Sequence, residues 1–177
     1  MASDLETLTS PAFLADLGAR SMADIRAMRA ECQEVENDLS FVRRMAHGRL
    51  DIVGGEVGRR RTGASPADAT ELVDQLPGLM GQGTADGTPP RPPQSLEPSP
   101  AADVVIAELD AIVTTATLTS LTESSDEELA EYIDRLQSFE SRVSTQRRAL
   151  HETIDTIQAE IVERYRSGEA SVDSIFD

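Results

Sequence analysis

Tryptophan and lysine are absent from this 177-residue chain, cysteine occurs once, and aromatic residues make up only 3%. With so few large rings and a hydrophobic content of 39%, a thick globular core is not expected, and elongated helices packed along narrow seams fit better. The lone Cys32 has no partner for an internal disulfide, which points to a reducing, cytoplasmic setting. The longest apolar run, residues 104–113, is broken by Glu108 and Asp110 and is too short to cross a bilayer. MASDLETLTS lacks the basic and apolar regions of a signal peptide, so no membrane association is expected. Cations are also scarce, with 16 basic against 32 acidic residues and a net charge of −16. That balance counts against direct DNA binding and suits a basic protein partner, although solubility alone would explain it. All the cations are arginines, planar forks suited to bidentate contact with a phosphate or a guanine edge.

The expected fold is all-α: a long antiparallel two-helix coiled coil with short accessory helices and a disordered linker rich in proline and glycine. Residues 1–20 hold a short helical segment, with Ser10 as N-cap, Pro11 in the first turn and Gly18 near its end. The first long helix spans 21–62, opened by the capping signal of Ser21 and Asp24. Ile25, Cys32, Leu39, Ala46 and Val53 recur every seventh residue, with Met28, Val35 and Val42 between them, an a/d seam. Arg59, Arg60, Arg61 and Gly63 signal its end, and Gly48, Gly54, Gly55 and Gly58, each costing up to ~1 kcal/mol relative to alanine, predict that this end is soft. Residues 63–103 read as a mostly disordered linker containing one candidate helix, 66–80. Its apolar face could dock on a partner or pack back on the coil. Residues 104–124 are weakly helical. The second long helix spans 125–167, with a full capping box of Ser125 and Glu128, Leu129, Leu136, Val143, Leu150 and Ile157 at a, and Tyr132, Phe139, Gln146 and Thr153 at d. Residues 168–177 form an acidic tail.

One polar pattern occurs twice. Glu36, Ser40, Arg43, His47 and Asp51 follow E-x3-S-x2-R-x3-H-x3-D, and so do Glu140, Ser144, Arg147, His151 and Asp155, 104 positions later. On a helix, steps of 4, 3, 4 and 4 keep five side chains within an arc of roughly 80°, a stripe about 22 Å long. In both registers Glu and Arg fall at e, Ser and His at b and Asp at f. Only an antiparallel pair sets e beside e and joins the two stripes. With the motifs level, Arg43 and Arg147 approach each other, attended by Arg44 and Arg148, and such a cluster calls for a counter-anion. Arginine forks fit phosphate or the O6/N7 edge of guanine, and carboxylates accept from guanine N1–H and N2–H. A twofold ligand with two guanines, cyclic di-GMP, meets that list. The plain alternative, helical surface ion pairs, suffices for one copy and not for two matching ones.

This doubled motif resembles that of the RsiG family, actinobacterial anti-sigma factors whose antiparallel coiled coil carries E-x3-S-x2-R-x3-Q-x3-D on each helix. The resemblance covers both long helices. It implies that cyclic di-GMP binds as a dimer through Glu36, Ser40, Arg43 and Asp51 and through Glu140, Ser144, Arg147 and Asp155. It also implies that the loaded protein sequesters the sporulation sigma factor WhiG. His47 and His151 stand where the family has glutamine; imidazole still hydrogen-bonds or stacks, and histidine chemistry makes affinity open to pH. No resident cofactor or metal is expected: His47 with Asp51 and His151 with Asp155 are spaced i,i+4, but on outward stripes rather than in a core. Nor is enzyme activity, since neither a nucleophile with its base nor a glycine-rich phosphate loop is present. The competing reading is a ligand-independent acidic coiled-coil scaffold or adaptor.

Overall fold

The computed structural model describes residues 5–63 and 98–168, which contain helices and turns and no strand. The candidate helix 66–80, most of the linker and the tail after Gly168 lie outside the described residues. Among the described residues, α-helices follow in the order α1 (Leu5–Leu8), α2 (Met22–Thr62), α3 (Asp103–Asp110), α4 (Thr115–Thr119) and α5 (Asp126–Ser167). Short 3-10 turns at Leu17–Ala19, Pro100–Ala102 and Leu121–Glu123 connect them.

The two long helices begin where their caps dictate. Asp24 N–H donates to Ser21 Oγ at 3.1 Å and Ser21 N–H to Asp24 Oδ2 at 3.3 Å; Glu128 N–H and Ser125 N–H repeat the exchange at 3.1 and 2.7 Å. Both helices end on a glycine with positive φ, Gly63 at 66° and Gly168 at 81°, a conformation that costs glycine nothing. The four glycines of the α2 C-terminal half stay inside the helix, which continues through Thr62.

Every a-position residue named above is buried on both helices. Each buried Leu, Ile or Val is worth roughly 1.5–3 kcal/mol, so the seam carries the pairing. The helices run antiparallel: α2 residue 43 meets α5 residue 140, and residue 36 meets 147. One flank of the seam, on the d and g side, is covered. There Asp38 accepts from both the N–H and the hydroxyl of Ser99 at 2.8 and 2.5 Å, and Arg142 pairs with Glu108. Buried Leu8, Leu109, Val113 and Leu121 press the accessory segments onto the coil.

The duplication extends beyond the helices. Offset by 104 positions, residues 5–20 correspond to 109–124, and the contacts correspond too. Ser10 Oγ accepts from Phe13 N–H at 3.2 Å and Thr114 Oγ1 from Thr117 N–H at 3.0 Å. Ser10 caps a run of turns rather than the helix expected there, and the run ends at Asp16, which takes a left-handed conformation with φ 58°. At the last a position of each long helix stands an arginine. Arg164 donates to the carbonyls of Leu17 and Arg20 at 2.7 and 2.6 Å, and Arg60 to those of Leu121 and Ser124 at 3.0 and 2.7 Å. Each therefore ties down the chain just ahead of the other helix's cap.

Candidate functional site

On the opposite, e-side flank no accessory segment intervenes among the described residues, and the two motif copies meet. Arg43 Nε–H is shared between Glu140 Oε1 and Ser144 Oγ, both at 2.8 Å, while Ser144 gives its own hydrogen to the same Oε1 at 2.7 Å. The other copy is the reciprocal. Arg147 Nε lies 2.7 Å from both Glu36 Oε1 and Ser40 Oγ, and Ser40 donates to Glu36 Oε1 at 2.7 Å. Each Glu–Ser pair is an i,i+4 contact within one helix, and each arginine crosses from the other.

The register differs from level motifs. Arg43 stands opposite Glu140, seven residues before Arg147, so the coil is slid by one heptad and each arginine faces a carboxylate instead of its twin. Such a slide leaves the apolar repeat in step and exchanges like-charge contact for two ion pairs, about 10 Å apart along the axis at 1.5 Å per residue.

The imidazoles complete each hub. His47 Nε2 is 3.2 Å from Glu140 Oε1, and His151 Nε2 is 3.2 Å from Glu36 Oε1. The His151 contact lies off the line of a hydrogen bond: among the described residues its Nε2 is the buried side-chain nitrogen without a bonded partner. The two halves differ in shielding, the Glu36 side chain being 8% exposed and that of Glu140 19%. Burial pushes the Glu36 carboxyl up, but hydrogen bonds from Ser40 and Arg147 outweigh it and hold the group below the usual range. At Glu140 the Ser144 hydrogen bond is the largest effect, and the carboxyl is again lowered.

What the hubs leave unused matters as much. Each arginine commits Nε and each glutamate Oε1; among the described residues the Nη groups and Oε2 atoms make no hydrogen bond. The arginine side chains are 37% and 35% exposed. Asp51 and Asp155 are exposed and stand apart from the hubs at the two outer ends of the site. Arg44 and Arg148, beside the motif arginines, are exposed as well.

The sequence model of RsiG-like proteins matches residues 11–79 and 115–176, about three-quarters of the chain. The chain belongs to the RsiG-like family. No curated protein matches it. The two matched stretches of this RsiG-like protein begin 104 positions apart, the same offset that relates its hubs, caps and arginine clasps. The family is a regulatory one of anti-sigma factors and not one of enzymes. Among the described residues of this RsiG-like chain, no three His, Cys, Asp or Glu side chains gather as a metal site, and no helix is long and apolar enough to cross a membrane.

Sequence reasoning did not find Arg49, and it read Arg60 and Arg164 as marks of helix ends without finding the backbone carbonyls they hold. Arg49 sits at a d position, is 5% exposed and donates to the carbonyls of Leu109 and Val113 at 2.9 and 2.6 Å. For Arg60 and Arg164 a signal did exist: Glu56 with Arg60 and Glu160 with Arg164 share the 104 offset and the i,i+4 spacing. Arg49 has no such signal, since its counterpart is Thr153, which reaches the Leu8 carbonyl at 3.4 Å.

Proposed function

We propose that this protein is a cyclic di-GMP-responsive anti-sigma factor: it binds a dimer of the nucleotide on the open flank of the coil through Glu36, Ser40, Arg43, His47 and Asp51 and their counterparts Glu140, Ser144, Arg147, His151 and Asp155. Loaded, it sequesters a WhiG-type sporulation sigma factor in the cytoplasm of an actinobacterium. The observation that carries this reading is the pair of reciprocal hubs with their unused donors and acceptors. Guanidinium Nη groups, aimed by an anchored Nε, match guanine O6 and N7 or a phosphate, and the spare Oε2 of each glutamate matches N1–H and N2–H. Two hubs in reciprocal arrangement suit a ligand assembly with twofold symmetry. The net charge of −16 suits a partner whose DNA- or polymerase-binding surfaces are basic.

A second reading has its own support. The hubs close the coil through two ion pairs made by the chain's own side chains, as a ligand-independent scaffold needs. A titration of sigma factor at increasing cyclic di-GMP separates the two, because binding coupling is reciprocal. The anti-sigma sensor predicts tighter sigma binding with ligand and tighter ligand binding with sigma. A scaffold predicts sigma affinity that ignores the nucleotide.

A further inference from the structure

Because the two halves repeat their contacts at a fixed offset, the positions where they differ mark what only one half does. At the end of the open flank formed by the α2 N-terminus and the α5 C-terminus, Met22 and Tyr165 pack on the core beside Ile161, which is 7% exposed. Arg26 donates to the Tyr165 hydroxyl and completes the cover. At the other end the equivalent positions hold Asp126, Arg61, Val57 and, in place of Arg26, Ala130. Exchanging two long side chains and a ring for Asp126, Ala130 and Arg61 leaves a groove of about 390 Å³, lined by Val57, Arg61, Asp126, Ala130, Ile133 and Asp134. Arg60, also at this groove, is spent on Asp126, Glu56 and three backbone carbonyls.

We propose that this groove is a docking site for a partner protein, and that its occupant is a basic segment presenting an aromatic side chain next to an arginine or lysine. The closed end shows the filling that such a groove accepts, a tyrosine ring on the Ile161 floor with an arginine beside it. Charge points the same way. Arg60 pairs with Asp126 and Arg61 lines the α2 side of the groove, but on the α5 side Asp134 lines it with no ion pair among the described residues, and exposed Glu127 follows on the same helix, so a cation entering along α5 meets carboxylates. An aromatic anchor in a pocket with a charged neighbour is also how binding energy concentrates at interfaces. The identity of the partner as the sigma factor rests on the anti-sigma reading above. The groove lies on the flank that carries the hubs, about two helical turns beyond His47, so one partner could cover both.

The test transplants the closed end onto the open one with Arg61→Tyr, Asp126→Met and Ala130→Arg. These residues already pack together at the far end, so helicity and cyclic di-GMP binding should stay at wild-type values, and melting temperature should fall by no more than the loss of the exposed Arg60–Asp126 pair accounts for. Affinity for a purified WhiG-type sigma factor should fall at least tenfold. The single change Ala130→Arg serves the same purpose if the triple variant folds poorly. A photo-crosslinker carried on Ala130→Cys should attach to a sigma-factor segment containing an aromatic and a basic residue. Equal sigma binding by wild type and filled variants, or crosslinking to a second copy of this chain, overturns the groove proposal alone. A wild-type chain that binds no sigma factor refutes the anti-sigma reading, and the proposed occupant with it.

Discussion

The covered and open flanks of the coil use the same residue types to opposite ends. On the covered side Arg49 spends its guanidinium on Leu109 and Val113 carbonyls and Asp110, and Asp38 uses both carboxylate oxygens on Ser99. On the open side Arg43, Arg147, Glu36 and Glu140 commit one atom each and keep the rest. A charged residue becomes a binding group only when its neighbours leave it a free donor or acceptor. The two reciprocal hubs keep that freedom on the flank that no accessory segment covers among the described residues.

The sharpest way to break this contrast is on the covered side. Arg49→Ala strands two buried carbonyls and should cost about 3 kcal/mol in urea denaturation, with cyclic di-GMP affinity in the folded fraction unchanged. A loss of ligand affinity as large as the loss of stability would mean that the flanks are not separable. Next come the clasps. Arg164→Ala should cost about 2 kcal/mol and Arg60→Ala about 1 kcal/mol, because the Arg164 side chain is 9% exposed and that of Arg60 23%. The reverse order would contradict the burial argument.

Acid offers a graded test. Glu36 and Glu140 are held below their ordinary value of 4.5, and Glu56, between Arg59 and Arg60, is held down to about 2. Lowered carboxyls contribute stability that is complete above pH 4.5 and is lost as pH falls through their folded values. Thermal melts should therefore be flat above pH 4.5 on account of these groups and decline below it. Glu36→Gln with Glu140→Gln should remove part of that decline, and Glu56→Gln the part nearest pH 2. The smallest effect is expected from His47→Gln with His151→Gln. These side chains are 46% and 43% exposed, and stability should move by less than about 0.5 kcal/mol.

Much of this architecture was legible in the residues. Both capping boxes, the a-position seam and the doubled motif follow from local spacing, and the structure has an all-α coiled coil built on them. The register was not legible, because sliding an antiparallel pair by one heptad keeps apolar residues on apolar residues. The choice is made by charge across the seam, where Arg43 opposite Glu140 replaces Arg43 opposite Arg147. Arg49 escaped notice for a related reason: an arginine at a d position reads as a defect until carbonyls 60 and 64 residues away satisfy it. The correspondence of residues 5–20 with 109–124 was hidden because it is carried by turns and backbone contacts more than by identical side chains.

Calorimetric titration of cyclic di-GMP into the wild-type chain and into Arg43→Ala/Arg147→Ala tests the central claim most directly. The account predicts two nucleotides bound per chain at micromolar concentration by the wild type and none by the variant, with both proteins folded. No binding to the wild type, or the same binding to both, would contradict it.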